Sequence, residues 1–231
     1  MKGTIFFAVA AALTVTTSVL AQQSVPCACP KAFQGFHVGG NIGYDFGKAN
    51  QQYSLVSEGE LLGTLNNNTL KKGLDGGVNA GYTRRLGNVG LGLEFVANWS
   101  GAKAQATSPS GGTVIQTRLE NSLQLRTNLS YVICNLVAPK LILGWDNSEW
   151  KQNFNVVDLP LLKQKTKRLN GFLWGAGIDV LFTQHFIMGV EYTGIASQKT
   201  SLTYTDSVGD TYSTRIKPQY NKFAIVAKFI Y

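Results

Sequence analysis

Phe36-His37-Val38-Gly39-Gly40-Asn41-Ile42-Gly43-Tyr44-Asp45-Phe46 is the stretch that decides the fold. Phe36, Val38, Ile42, Tyr44 and Phe46 share one parity, and His37, Gly39, Asn41, Gly43 and Asp45 share the other. Successive side chains of a strand point to opposite faces, so one face here is greasy and aromatic and the other small and polar. A soluble sheet hides its apolar face in a core. Here the same dyad recurs about eight times with almost no helical pattern to cover it. Lipid is the simplest solvent for so many apolar strand faces, with the polar faces turned into the lumen of a closed barrel.

Outward from that stretch, Leu74, Val78, Ala80 and Tyr82 alternate with Asp75, Gly77, Asn79 and Gly81, and Val89, Leu91, Leu93, Phe95 and Trp99 alternate with Gly90, Gly92, Glu94 and Asn98. Leu119, Leu123, Leu125, Leu129 and Tyr131 oppose Glu120, Ser122, Gln124, Arg126 and Asn128; Leu141, Leu143 and Trp145 oppose Lys140, Ile142, Gly144 and Asp146. Three more strands set Phe172, Trp174 and Ile178 against Asp179, Phe186, Val190 and Tyr192 against Glu191, and Phe223, Ile225, Phe229 and Tyr231 against their neighbours. The connections alternate in length: long polar stretches at 47–72, 100–117, 147–167 and 194–218, short turns at 86–88, 133–135 and 183–185. Long outer loops and short periplasmic turns are the asymmetry of bacterial transmembrane barrels. The pattern predicts an all-β, closed, eight-stranded antiparallel up-and-down barrel over 35–231, with four long outer loops and three periplasmic turns. Trp150 falls past the fifth strand, in a loop.

Lys2, the apolar run 5–15 and the small residues ending at Ala21 read as a secretory signal peptide over 1–21. Residues 22–34 then form a short periplasmic segment. Charged residues make up 15% of the chain, fewer than in an ordinary soluble domain, and the net charge is +8. The basic residues lack the interleaved aromatic surface that nucleic acid requires, so no nucleic-acid partner is expected; positive loops suit anionic lipopolysaccharide or host glycans.

Aromatic rings with polar tips favour the water–lipid boundary, so two girdles are expected. Phe36, Tyr82, Tyr131, Phe182, Phe186 and Tyr231 fall at the periplasmic edge; Tyr44, Phe46, Trp99, Trp145, Phe172, Trp174 and Tyr192 fall at the outer edge. Charges facing a narrow interior need partners. Matching depth on adjacent strands pairs Glu94 with Arg126, Lys140 with Asp179 and Glu191 with Lys228, as a polar plug. The lumen glycines, Gly177 among them, are read as permitting strand curvature and tight packing, with a thin water path along them as the alternative.

Segment 35–46, the run 123–131, Trp174-Gly175-Ala176-Gly177-Ile178-Asp179 and Val190-Glu191-Tyr192 resemble the small eight-stranded outer-membrane barrels of Gram-negative bacteria, the OmpA-type fold and its porin-like surface antigens. Phe229-Ile230-Tyr231 resembles the terminal aromatic signal by which such barrels reach the assembly machinery. The resemblance implies an address in the cell outer membrane, periplasmic chaperones and the barrel-assembly machinery as partners, and lipid and lipopolysaccharide around the wall.

Function then divides into two readings. The first is a non-enzymatic structural and surface-display protein whose loops meet host molecules, because binding residues concentrate on loops held by rigid scaffolds. The second is a narrow porin-like channel for ions or small solutes. Catalysis is not expected: His37 and His185 both fall at the periplasmic end, away from the rim where such chemistry occurs. No cofactor is expected, and no metal, since Cys27-Ala28-Cys29 lacks companion ligands. Cys27, Cys29 and Cys134 share the periplasmic side, so a bridge from Cys134 to either of the pair is topologically open, as are three free thiols.

Overall fold

In the computed structural model the described residues are 32–57, 60–107, 113–156, 159–205 and 211–231. Residues 1–31, with the signal-peptide reading, Cys27 and Cys29, lie outside them. The described chain forms ten strands: β1 (Gly35–Ser57), β2 (Glu60–Leu86), β3 (Val89–Ser100), β4 (Lys103–Thr107), β5 (Thr113–Tyr131), β6 (Val137–Val156), β7 (Leu159–Leu181), β8 (Phe186–Ser197), β9 (Thr200–Thr205) and β10 (Thr211–Ile230). They make eight staves, because β4 prolongs β3 and β9 prolongs β8. Each stave pairs antiparallel with its sequence neighbour, and β1 pairs with β10 from His37↔Ile230 to Val56↔Thr211. That last ladder closes the ring and leaves no edge at membrane depth, which is what hydrocarbon demands of a sheet.

The dyad sorts side chains as expected. β3 alternates exposed and buried positions along its length. Ile42 and Leu74 are each 73% exposed, and Leu91, Leu125 and Ile178 also face out; Asn41, Glu94, Arg126 and Lys140 are buried inside. One end of the barrel carries the tight connections. Gly87 takes φ 63°, as a II′ hairpin turn requires at its first central position. Cys134 and Asn135 take φ 50° and 54°, bringing Ile133 and Val137 into a bridge.

Three sequence expectations need correction. The long polar stretches are not loops of irregular backbone but paired strand almost to their tips, as in Ser57↔Glu60, Val156↔Leu159 and Thr107↔Val114. A ladder standing in water needs no apolar face, so backbone pairing continues where the dyad signal stops. Second, Leu119 is buried in the lumen and Glu120 is half-exposed, the reverse of the predicted parity. A bulge between Leu119 and Asn121 inserts one residue and flips the faces beyond it. Third, Trp150 belongs to β6, is buried inside, and donates from Nε1 to Ser148 Oγ at 2.9 Å.

Candidate functional site

The interior is built in two tiers. At the turn end, inward residues of seven staves converge. Lys140 Nζ on β6 reaches both Asp179 carboxylate oxygens on β7, at 2.7 and 2.8 Å, and Glu191 Oε1 on β8 at 2.7 Å. Arg126 on β5 donates from Nη1 to Glu191 Oε2 at 2.9 Å and from Nε to Gln124 Oε1 at 2.8 Å. Lys228 on β10 lies 3.0 Å from Glu94 Oε1 on β3, which also faces His37 Nε2 at 3.6 Å, and Asn128 donates to Glu94 Oε2 at 3.0 Å. Three carboxylates and three cations thus balance within one cross-section.

The six predicted lumen residues are brought together, but not in the predicted pairs. Lys140–Asp179 forms as expected. Glu191 and Lys228 stand 4.0 Å apart, at the limit of pairing. Glu94 and Arg126 are Cα partners across β3 and β5, yet the guanidinium turns to Glu191 and Glu94 takes Lys228. In so narrow a barrel, long side chains from all staves meet near the axis. Partners are therefore chosen across the lumen rather than along the wall. Gly177 makes room for this: a Cβ there would come within 3.0 Å of Lys140 Cε and 3.2 Å of Glu191 Cγ.

Toward the other end the lumen holds groups that sequence reading passed over. Lys222 Nζ contacts Asp75, Asn41 Oδ1 at 2.8 Å and Asn98 Oδ1 at 2.9 Å. Ser100 Oγ donates to Asp45 Oδ2 at 2.5 Å. Gln124 and Tyr220 donate to the two oxygens of buried Asp146, at 2.8 and 3.3 Å. Beside them an apolar cluster including Leu119, Ile142, Trp150, Leu173, Ile195 and Tyr220 packs inside the wall, with Trp150 edge-on to Tyr220. The signal for it was present in Ile142 and Ile195, apolar residues on the lumen parity.

Both aromatic rims are present. At the turn end Phe36 and Tyr82 touch at 4.7 Å between centroids, Tyr131 is exposed, and Phe229 meets Tyr231 at 5.0 Å. At the far rim Tyr44, Trp99, Trp145, Trp174 and Tyr192 face outward, with Tyr192 against Phe46 and Trp174. Cys134 is exposed in its turn and makes no disulfide among the described residues, which do not include Cys27 and Cys29. Of the histidines, His37 is buried against Glu94, and His185 stacks on Phe229 while its Nδ1 lies 3.1 Å from Ile230 O.

Residues 7–220 match the profile of the outer membrane protein beta-barrel domain. The chain belongs to that family. Its place is the outer membrane, with the short turns toward the periplasm and the strand arms outside. The fold is similar to OprG from Pseudomonas aeruginosa, at 13% identity over 86% of this chain and 96% of that one, TM-score 0.58. It is similar to the outer membrane protease OmpT from Escherichia coli, at 11% identity over 85% and 97%, TM-score 0.53. Neisserial surface protein A matches at 13% identity over 85% and 97%, TM-score 0.44. At these identities the likeness is one of fold, and one fold hosts many functions. No curated protein matches the sequence.

Proposed function

We propose that this outer-membrane barrel is a non-enzymatic structural and surface-display protein, which holds four strand arms rigidly above the membrane for contact with host surface molecules. One observation carries the reading: the lumen is filled. The balanced plug of Glu94, Asp179 and Glu191 with Arg126, Lys140 and Lys228 occupies its periplasmic tier. Ile142, Leu173 and Trp150 pack inside the outer tier. Eight staves leave room only for such side chains. Both histidines are engaged at the periplasmic end, which supports a role without catalysis.

A narrow channel is the second reading, favoured by one observation. Asn79 Oδ1, Asn98 Nδ2, Asn128 Oδ1 and Thr193 Oγ1 are buried in the lumen without protein partners. Such groups call for water, and a file of waters is a conduction path. Planar-bilayer recording of the refolded protein separates the two. The display reading expects no discrete conductance steps, and exchanging the arm tips should change adhesion to host cells without altering the fold. Regular open-channel steps that vanish when the plug is overpacked by Gly177→Leu would establish the channel instead.

A further inference from the structure

Outside the barrel, just beyond the lipid-facing band, four basic residues stand side by side. Lys72 on β2 is the Cα partner of Lys103 on β4, Lys103 of Arg118 on β5, and Arg118 of Lys151 on β6. Lys72, Lys103 and Arg118 are exposed and Lys151 is partly so. Lys151 is in turn the partner of Thr166 on β7, two residues from exposed Arg168, which continues the row. Among the described residues, the ion pairs of this row are Lys151–Glu120 at 3.2 Å and Arg168–Glu149 at 3.0 Å, both toward its β6–β7 end.

Like charges directly opposite on neighbouring strands repel, and four successive staves are joined by three such pairs here. A sequence selected only for stability would scatter them. Their height explains why they are gathered. On β2, Lys72 stands two residues beyond the exposed Leu74; on β6, Lys151 stands six beyond the exposed Trp145. With a rise of about 3.3 Å per residue and a tilt of about 40°, the row climbs through roughly 5–15 Å above the band. The headgroup layer is roughly 5–8 Å deep on each side, so Lys72 lies within it and the row climbs from there to above it. Across the barrel, Gln198, Gln219 and Asn221 occupy the first outward positions beyond the rim without charge, and on β10 a cation, Lys217, is reached only six residues beyond exposed Phe223.

We propose that the row Lys72, Lys103, Arg118 and Lys151 binds the phosphate groups of outer-leaflet lipid, seating one side of the barrel against phosphorylated glycolipid. Lysine supplies point charges and Arg118 a fork that grips phosphate in two places. The lipid's phosphates are the missing counter-charge, and they sit at the height where the row begins.

The test uses the full refolded chain in uncharged detergent micelles. Native mass spectrometry counts bound bis-phosphorylated lipid A and, separately, lipid A stripped of its phosphates. The intact protein should retain the phosphorylated form at least 10-fold more strongly. Lys72→Gln/Lys103→Gln/Arg118→Gln should lose that preference, and Lys199→Gln/Lys217→Gln, which removes charge elsewhere, should keep it. Lys103→Gln alone, a single exposed change, should lower retention several-fold if the triple variant does not refold. Melting provides a second readout: phosphorylated lipid should raise the melting temperature of the intact protein and leave that of the triple variant unmoved. Equal retention of both lipids, equal retention by the triple variant, or the same melting shift from inorganic phosphate alone would overturn the proposal.

Discussion

Lys140 touches two carboxylates from two other staves, and no other cation in the plug holds both Asp179 and Glu191 so closely. Removing one partner of a buried pair leaves an uncompensated charge, which costs more than the pair itself contributes. Lys140→Ala should therefore destabilise the barrel by about 3–5 kcal/mol. Arg126→Ala should cost less, about 1–3 kcal/mol, because Glu191 keeps Lys140 and Glu94 keeps Lys228. Urea unfolding in lipid vesicles, followed by tryptophan fluorescence, checks both. Equal losses, or a larger one for Arg126, would mean that the plug is organised around the wall pair Glu94–Arg126 after all. Which residues enter the lumen was legible, since parity alone decides it. Which residues pair was not: that depends on side-chain reach across a narrow lumen.

Elements were legible where both solvents act on them and obscure where only one does. Between the aromatic rims, lipid outside and polar packing inside impose a strict dyad, and every stave there was readable. Beyond the outer rim both faces meet water, the dyad fades, and strand could not be told from loop. At Glu120 a single inserted residue reverses the faces, so Leu119 entered the wrong ledger; nothing in composition marks the bulge. The turns were clearer because their chemistry is local. Gly87 lies in the left-handed region with no atom within 4 Å of its missing side chain, so a substitution there acts through backbone strain alone. Gly87→Val should cost about 1–2 kcal/mol and leave the β2–β3 register intact. Unfolding measurements with amide exchange across residues 82–93 test this. An unchanged stability would show that the turn is not held in the II′ form.

The barrel formed by the described residues is a cylinder with its polarity inverted, and above the membrane the cylinder divides. β9, β10, β1 and β2 continue as one wall and β4, β5, β6 and β7 as another. Among the described residues, the β7–β8 ladder stops at Gly171↔Ser197, with Gln198 N donating to Asn170 O just beyond it, and β2 meets β4 only at Lys72↔Lys103. The proposed display role needs a stiff base, and the filled lumen supplies it.

Quenching of single tryptophans by lipids brominated near the headgroup end of their acyl chains tests that inversion most directly. In variants that keep one of the four tryptophans, Trp99, Trp145 and Trp174 should be strongly quenched, because they face outward at the outer rim. Trp150, packed inside against Tyr220, should be spared. Strong quenching of Trp150, with Trp99, Trp145 and Trp174 protected, would contradict the account.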